Sequence, residues 1–291
     1  MTQVWERALA AWPLVAAEIL IFGTAVFAFL IAPSAESQPD GVANSLTPLW
    51  RGLALISFFT SPIVLLVDTA SMADVSLRAA IPFLPQVMHE THLGRIWLWS
   101  FPVTVFLMIV AWTPGYRPIK IATLGILTGA LLALMSLSSH AIDRGGIAVA
   151  VYFVHELAAA LWIGGIFGLW LGAVHGGLGP EWVGQTAPRV SKLAGWTVTL
   201  LILSGLYTAY HSLDADPQRL IYAAYGRTLV VKVCAASLVL LIGAYNRYWL
   251  IPTMSKSSSQ HSLLRNIGVE SVLLIGVLGL AALLANTPPA H

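Results

Sequence analysis

The chain is poor in charge. Asp, Glu, Lys and Arg together make up 10% of its 291 residues, against roughly 25% in soluble globular domains. So few charges could not cover the surface of a soluble domain this long, and that class is excluded. The net charge is only +2, so bulk electrostatic attraction to nucleic acid is excluded as well. A single cysteine, Cys234, lies inside an apolar run, which removes both a disulfide framework and a multi-cysteine metal site. No ATP-binding loop, phosphorylation motif or soluble domain is evident, so any transport is expected to be secondary or passive. The first apolar run is too long for a signal peptide and lacks a dominant basic leader. It reads as a spanning helix that is retained.

What the chain has in abundance is apolar length. Hydrophobic residues are 57% of it and the mean hydropathy is +0.79. A helix crossing the hydrocarbon core needs about 20 mostly apolar residues. Eight windows qualify: 12–31, 49–67, 96–112, 121–139, 146–174, 193–210, 228–250 and 267–284. They are far too long for barrel strands, so the expected fold is all-α, a polytopic membrane helix bundle of about eight spans. The polar stretch between the second and third windows predicts a short interfacial helix over 77–88. The chain reads as one membrane domain with two four-helix halves, 1–144 and 145–291. Corresponding signals in the halves, such as Glu18 and Glu156 or His92–Arg95 and Ala224–Arg227, are compatible with a parallel internal repeat.

The basic residues divide unevenly between the loops. Arg51, Arg117, Lys120, Arg189, Lys192, Arg247, Lys256 and Arg265 fall on one side, and Arg7, Arg78, Arg95, Arg144, Arg219 and Arg227 on the other. The richer side is expected to be cytoplasmic, with both termini on the outer face.

The histidines are more lopsided than the basic residues. Of eight, His89, His92, His140, His211 and His291 fall at the outer ends of spans, and His155 lies inside the fifth span nearer that end. Only His175 and His261 fall on the opposite side. Neutral imidazole is a common transition-metal ligand. His89 and His92 are spaced i, i+3, which puts both rings on one side of a helix. With Met135 and Asp143 nearby in the topology, the expected metal ligands are His89, His92, His140, His155, His211, Met135 and Asp143. Any one interfacial histidine taken alone is more often structural, and Met135 alone is more often packing. His155 stands out because an ionisable residue inside a bilayer is costly and by default marks function. Glu156, Lys232, Glu18 and Glu270 are the other intramembrane ionisable residues expected to line a pathway or pair off. The expected pairing joins Lys232 to one of the three carboxylates, and Arg247 is expected to snorkel at its helix end.

The series His155…Trp162-Ile-Gly-Gly165, Arg189-Val-Ser-Lys-Leu-Ala194, Ser204-Gly-Leu-Tyr207, Tyr225-Gly-Arg-Thr-Leu-Val-Val-Lys232 and Gly243-Ala-Tyr-Asn-Arg247 resembles the bacterial copper resistance protein D (CopD) family. The likeness is close over the last four spans and covers number and layout only in the first four. It carries over to His155, Trp162, Tyr225, Lys232, Asn246 and Arg247. It implies an inner-membrane protein that moves copper from the periplasm, with copper ion as cargo. Some members carry an appended soluble copper-binding domain. Since this chain has no room for one, the expected partners are membrane lipid and a separate periplasmic copper-binding protein. A homo-oligomer is compatible with the sequence. The alternative is a redox membrane protein holding haem b between paired histidines, His140 with His155 or His92 with His211. The inner face offers only the loop-placed His175 and His261, which argues against a transmembrane electron wire.

Overall fold

A computed structural model describes residues 2–32, 41–114, 117–176, 178–254 and 257–289. His291 and Lys256, used in the sequence reading, lie outside the described residues, as does the side chain of Arg117. The described chain is helical without strands, and eight of its helices are long and apolar enough to cross a membrane. The spans are α1 (Thr2–Val26), α2 (Gly41–Ala73), α5 (His92–Trp112), α6 (Arg117–Ser138), α7 (Gly146–His175), α8 (Pro180–Ser212), α10 (Ala224–Tyr245) and α11 (Ser257–Asn286). Short helices α3 (Leu77–Ala80), α4 (Leu84–Glu90) and α9 (Arg219–Tyr222) complete the set. With α3 and α4 joined by a 3-10 turn, the segment expected to form a short helix over 77–88 is helical.

Several spans outrun their apolar windows. The second continues past residue 67 to Ala73, because Asp68 is not left bare: Arg7 Nε lies 2.9 Å from its Oδ1. Within the spans, hydroxyls donate back one turn, as Thr24, Ser61, Thr69 and Thr128 do to the carbonyls four residues earlier. In lipid, where water cannot serve a polar group, this satisfies each hydroxyl inside its own helix. Two spans end in a π-helical turn, at Phe27–Ile31 and Asn246–Leu250.

The centre of the bundle is the pair α1 and α7, and the sequence places glycine where they cross. A Cβ on Gly23 would lie 1.8 Å from the carbonyl oxygen of Ala160, and one on Gly164 would lie 2.1 Å from the carbonyl carbon of Gly23. The two backbones therefore touch, as small residues allow between membrane helices. Along the same face of α7, Gly168 receives the Phe27 ring and Gly172 the Trp182 ring. Around this pair, α2, α6 and α11 pack on α1, α8 packs on α7, and α10 packs on α11 and α9. Trp50, almost wholly buried, donates from Nε1 to Thr24 Oγ1 at 2.9 Å and ties α2 to α1.

With eight spans, both termini lie on one face, here called the N-face. The other face carries a belt of basic side chains that close helix ends. Arg51 and Lys120 donate to the Ala111 carbonyl at 3.4 and 2.9 Å, and Arg189 donates to the Ile31 carbonyl at 3.3 Å. Arg247, expected to snorkel at its helix end, is exposed there and bonds the Ser191 carbonyl at 2.5 Å and the Ser191 hydroxyl at 3.2 Å, joining the end of α10 to α8.

Candidate metal-handling site within the bundle

The intramembrane polar residues are not scattered. Glu18 on α1 and Glu156 on α7 are both buried, with 4% and 7% of their surface exposed. Ser136 of α6 stands 2.6 Å from Glu156 Oε2, and Ser57 of α2 faces Glu18 without a well-formed hydrogen bond. The two glutamates lie within electrostatic reach of each other, and Lys232 of α10 is within reach of Glu156 and of His155. With Ser204 of α8, 2.9 Å from His155, six spans contribute to one polar group in an apolar bundle. Its depth follows from the helices: Glu18 is about 20 Å along α1 from Ile31, and Ser204 about 22 Å along α8 from Arg189. The cluster therefore sits in the third of the hydrocarbon core nearer the N-face.

His155 is the member best suited to hold a metal. Its Nδ1 is 2.9 Å from Ser204 Oγ. That hydroxyl has one proton, and it donates it to the Leu200 carbonyl at 2.6 Å. Ser204 must then accept from His155, so neutral His155 carries its proton on Nδ1. The Nε2 lone pair is left bare, which is the form that ligates a metal, with the outer hydrogen bond fixing tautomer and ring orientation. Gly205 lets the ring approach: a Cβ there would lie 3.4 Å from the imidazole Cε1.

The other expected ligands are held separately. His92 reaches the Leu137 carbonyl at 3.1 Å and so joins α5 to the end of α6. His211 stacks on Tyr207, with ring centroids 4.5 Å apart. His89 and Asp143 are exposed, and Met135 packs against the main apolar core. Among the described residues no three His, Cys, Asp or Glu side chains converge as a metal site. By helix count the seven expected ligands share a face or its approach, and among the described residues no three of their His and Asp side chains stand together. Helix counting can assign a residue to a face. It cannot bring the ends of different helices together.

Lys232, expected to pair with a carboxylate, has Glu156 within electrostatic reach, and among the described residues no carboxylate lies within 4 Å of it. Glu156 is taken by Ser136. Glu270, buried on α11, accepts a short hydrogen bond from Asn246 Nδ2, and Asn266 donates to Asn246 Oδ1 at 2.9 Å. This second polar group uses the π-turn at Asn246, which rotates the amide inward. Asn246 is carried over by resemblance alone, and nothing in the sequence spacing signals the π-turn. Ser136 and Ser204 were missed as partners for a plain reason: serine is ordinary in membrane helices, and only the neighbouring helix shows what it faces.

Two family models cover most of the chain. The model described as copper resistance protein D-like, N-terminal domain matches residues 1–148, and that described as copper resistance protein D matches residues 184–284. The chain belongs to the copper resistance protein D family. Glu18, Ser57 and Ser136 lie in the first matched stretch, Ser204, Lys232, Asn246 and Glu270 in the second, and His155 and Glu156 between them. Curated relatives include the inner membrane protein YebZ of Escherichia coli, 25% identical over 83% of both chains. Another is the copper transport protein CutJ of Bacillus subtilis, 25% identical over 71% of this chain, which spans 39% of CutJ. No solved structure matches.

Proposed function

We propose that this protein moves copper across the bacterial inner membrane and that His155 is the intramembrane residue that holds the ion in transit. The observation that carries this reading is the Ser204–His155 contact, which leaves Nε2 bare in an otherwise apolar bundle. Membership of the copper resistance protein D family and likeness to a copper transport protein supply the cargo. Likeness to YebZ supplies the compartment. The eight-to-six bias of basic residues supports periplasmic termini. On this orientation His89, His92, His140 and His211 on the N-face receive copper from a periplasmic copper-binding protein. Met135 and Asp143 stand near that entry. Glu156 and Glu18 supply carboxyl groups near His155, and Lys232 supplies a basic group within reach of Glu156. Nitrogen and sulfur donors suit copper better than Mg or Ca, which take oxygen shells.

The test is the metal content and absorption spectrum of purified, copper-loaded protein. About one copper per chain with no intense Soret band supports the reading. A Soret band with stoichiometric iron would replace it with the haem alternative, and neither metal nor haem would remove both.

A further inference from the structure

The polar groups near the N-face include one that the copper pathway does not use. Arg144 closes the 3-10 turn His140–Arg144, and Gly145, at φ 94°, turns the chain into α7. That left-handed conformation suits glycine and swings the guanidinium beneath the connection between α8 and α10. There Arg144 Nη1 donates to Ser212 Oγ at 3.1 Å, and the Tyr225 side chain lies against the same serine. Ser212 and Tyr225 are buried, with 4% and 7% exposed. Arg144 Nη2 is also buried, and it has no hydrogen-bond partner. Among the described residues no carboxylate lies within 4 Å of this guanidinium. Asp214 and Asp216 on the nearby loop are engaged by Arg219.

A buried unpaired donor on a full positive charge calls for a partner. Water would satisfy the donor but leave the charge uncompensated. An anion does both, and a guanidinium is well matched to phosphate oxygens. Depth selects the kind of anion. Ser212 lies about 34 Å along α8 from Arg189 in the opposite belt, just beyond a hydrocarbon core of about 30 Å and so in the headgroup layer. Beside it α9 exposes Ile221 and Tyr222, 67% and 77% accessible, an apolar and an aromatic side chain at the level where acyl chains meet headgroups.

We propose that Arg144, with Ser212 and Tyr225, forms a site for a phosphate group, occupied in the membrane by an anionic phospholipid headgroup seated between α7, α8 and α10. Basic pockets between spans are a recognised form of headgroup site. Ser212 lies about 12 Å along α8 from Ser204, the partner of His155.

The experiment compares melting temperatures of the full-length protein in vesicles of phosphatidylcholine alone and with phosphatidylglycerol, using wild type, Arg144→Gln and Arg78→Gln, the last at an exposed position on the same face. A third arm adds inorganic phosphate to the phosphatidylcholine vesicles. Wild type and Arg78→Gln should melt about 2–4 °C higher with phosphatidylglycerol, and Arg144→Gln should lose that rise. An equal rise from inorganic phosphate, also lost in Arg144→Gln, keeps the phosphate site and names free phosphate as its occupant. A phosphatidylglycerol effect undiminished in Arg144→Gln overturns the proposal. So does the lack of any anion effect in wild type, which would mean that water alone fills the site.

Discussion

Ser204 Oγ stands 2.9 Å from Nδ1 of His155 and accepts its proton, because the serine's own proton goes to Leu200. This contact predicts the effect of a mutation that touches no metal. Ser204→Ala frees the ring to rotate and to change tautomer, and copper affinity should fall about tenfold. Ser204→Cys or Ser204→Thr, which keep an acceptor, should lose less. Isothermal titration of copper into purified variants reads the series, and equal losses in all three would show that Ser204 matters only by size.

The glycine crossing of α1 and α7 predicts a large asymmetry between two similar changes. Gly164→Ala puts a Cβ into the Gly23 backbone and should destabilise the protein by about 1–3 kcal/mol or more. Gly276→Ala on α11 meets nothing within 4 Å and should be neutral or slightly stabilising. Thermal unfolding in detergent checks both.

Lys232 separates stability from function. Because it makes no ion pair within 4 Å among the described residues, replacing it should not strand a close ionic partner. Removing an intramembrane charge relieves a cost that helix-insertion scales put at about 2.5–3.5 kcal/mol. Lys232→Met should therefore hold or raise the melting temperature while lowering copper transport. A sharp loss of stability would instead mean that Lys232 and Glu156 pair directly.

The indole of Trp50 depends on Thr24 alone for its hydrogen bond. Thr24→Val keeps the shape and leaves a buried N–H unpaired, at an expected cost of about 1–3 kcal/mol. Thermal unfolding of Thr24→Val beside Thr24→Ser shows whether the bond or the methyl group matters more.

Orientation is tested by reporter fusions. Fusions after Pro118 and Ser257 should read as cytoplasmic and one after Asp143 as periplasmic. The opposite pattern would invert the direction assigned to the pathway and leave the internal geometry unchanged.

The spans were legible because the bilayer imposes a length and an apolar composition that a single sequence shows directly. Glu18, Glu156, Lys232 and Glu270 were legible as intramembrane polar residues, since charge is rare in such windows. Their partners were not. Ser136, Ser57 and Asn266 are small polar residues whose role appears only when another helix is laid beside them. Among the described residues His89, His92, His140 and His211 do not form a group of three, for a related reason. Each of these residues lies at or beside a helix end, and helix ends are positioned by loops and by contacts such as His92 with the Leu137 carbonyl. Periodicity does not reach those contacts. α2 runs past the C-terminal end of its apolar window because Asp68, which looks like a stop signal, is met by Arg7 from the neighbouring helix.

The most direct test of the central claim is copper flux into proteoliposomes of wild type, His155→Ala, His175→Ala and His261→Ala, at matched protein content and verified folding. His175 and His261 lie on the face opposite the N-face. The account predicts that His155→Ala abolishes most of the flux while the other two variants match wild type. Wild-type flux in His155→Ala, or equal losses in all three variants, would contradict it.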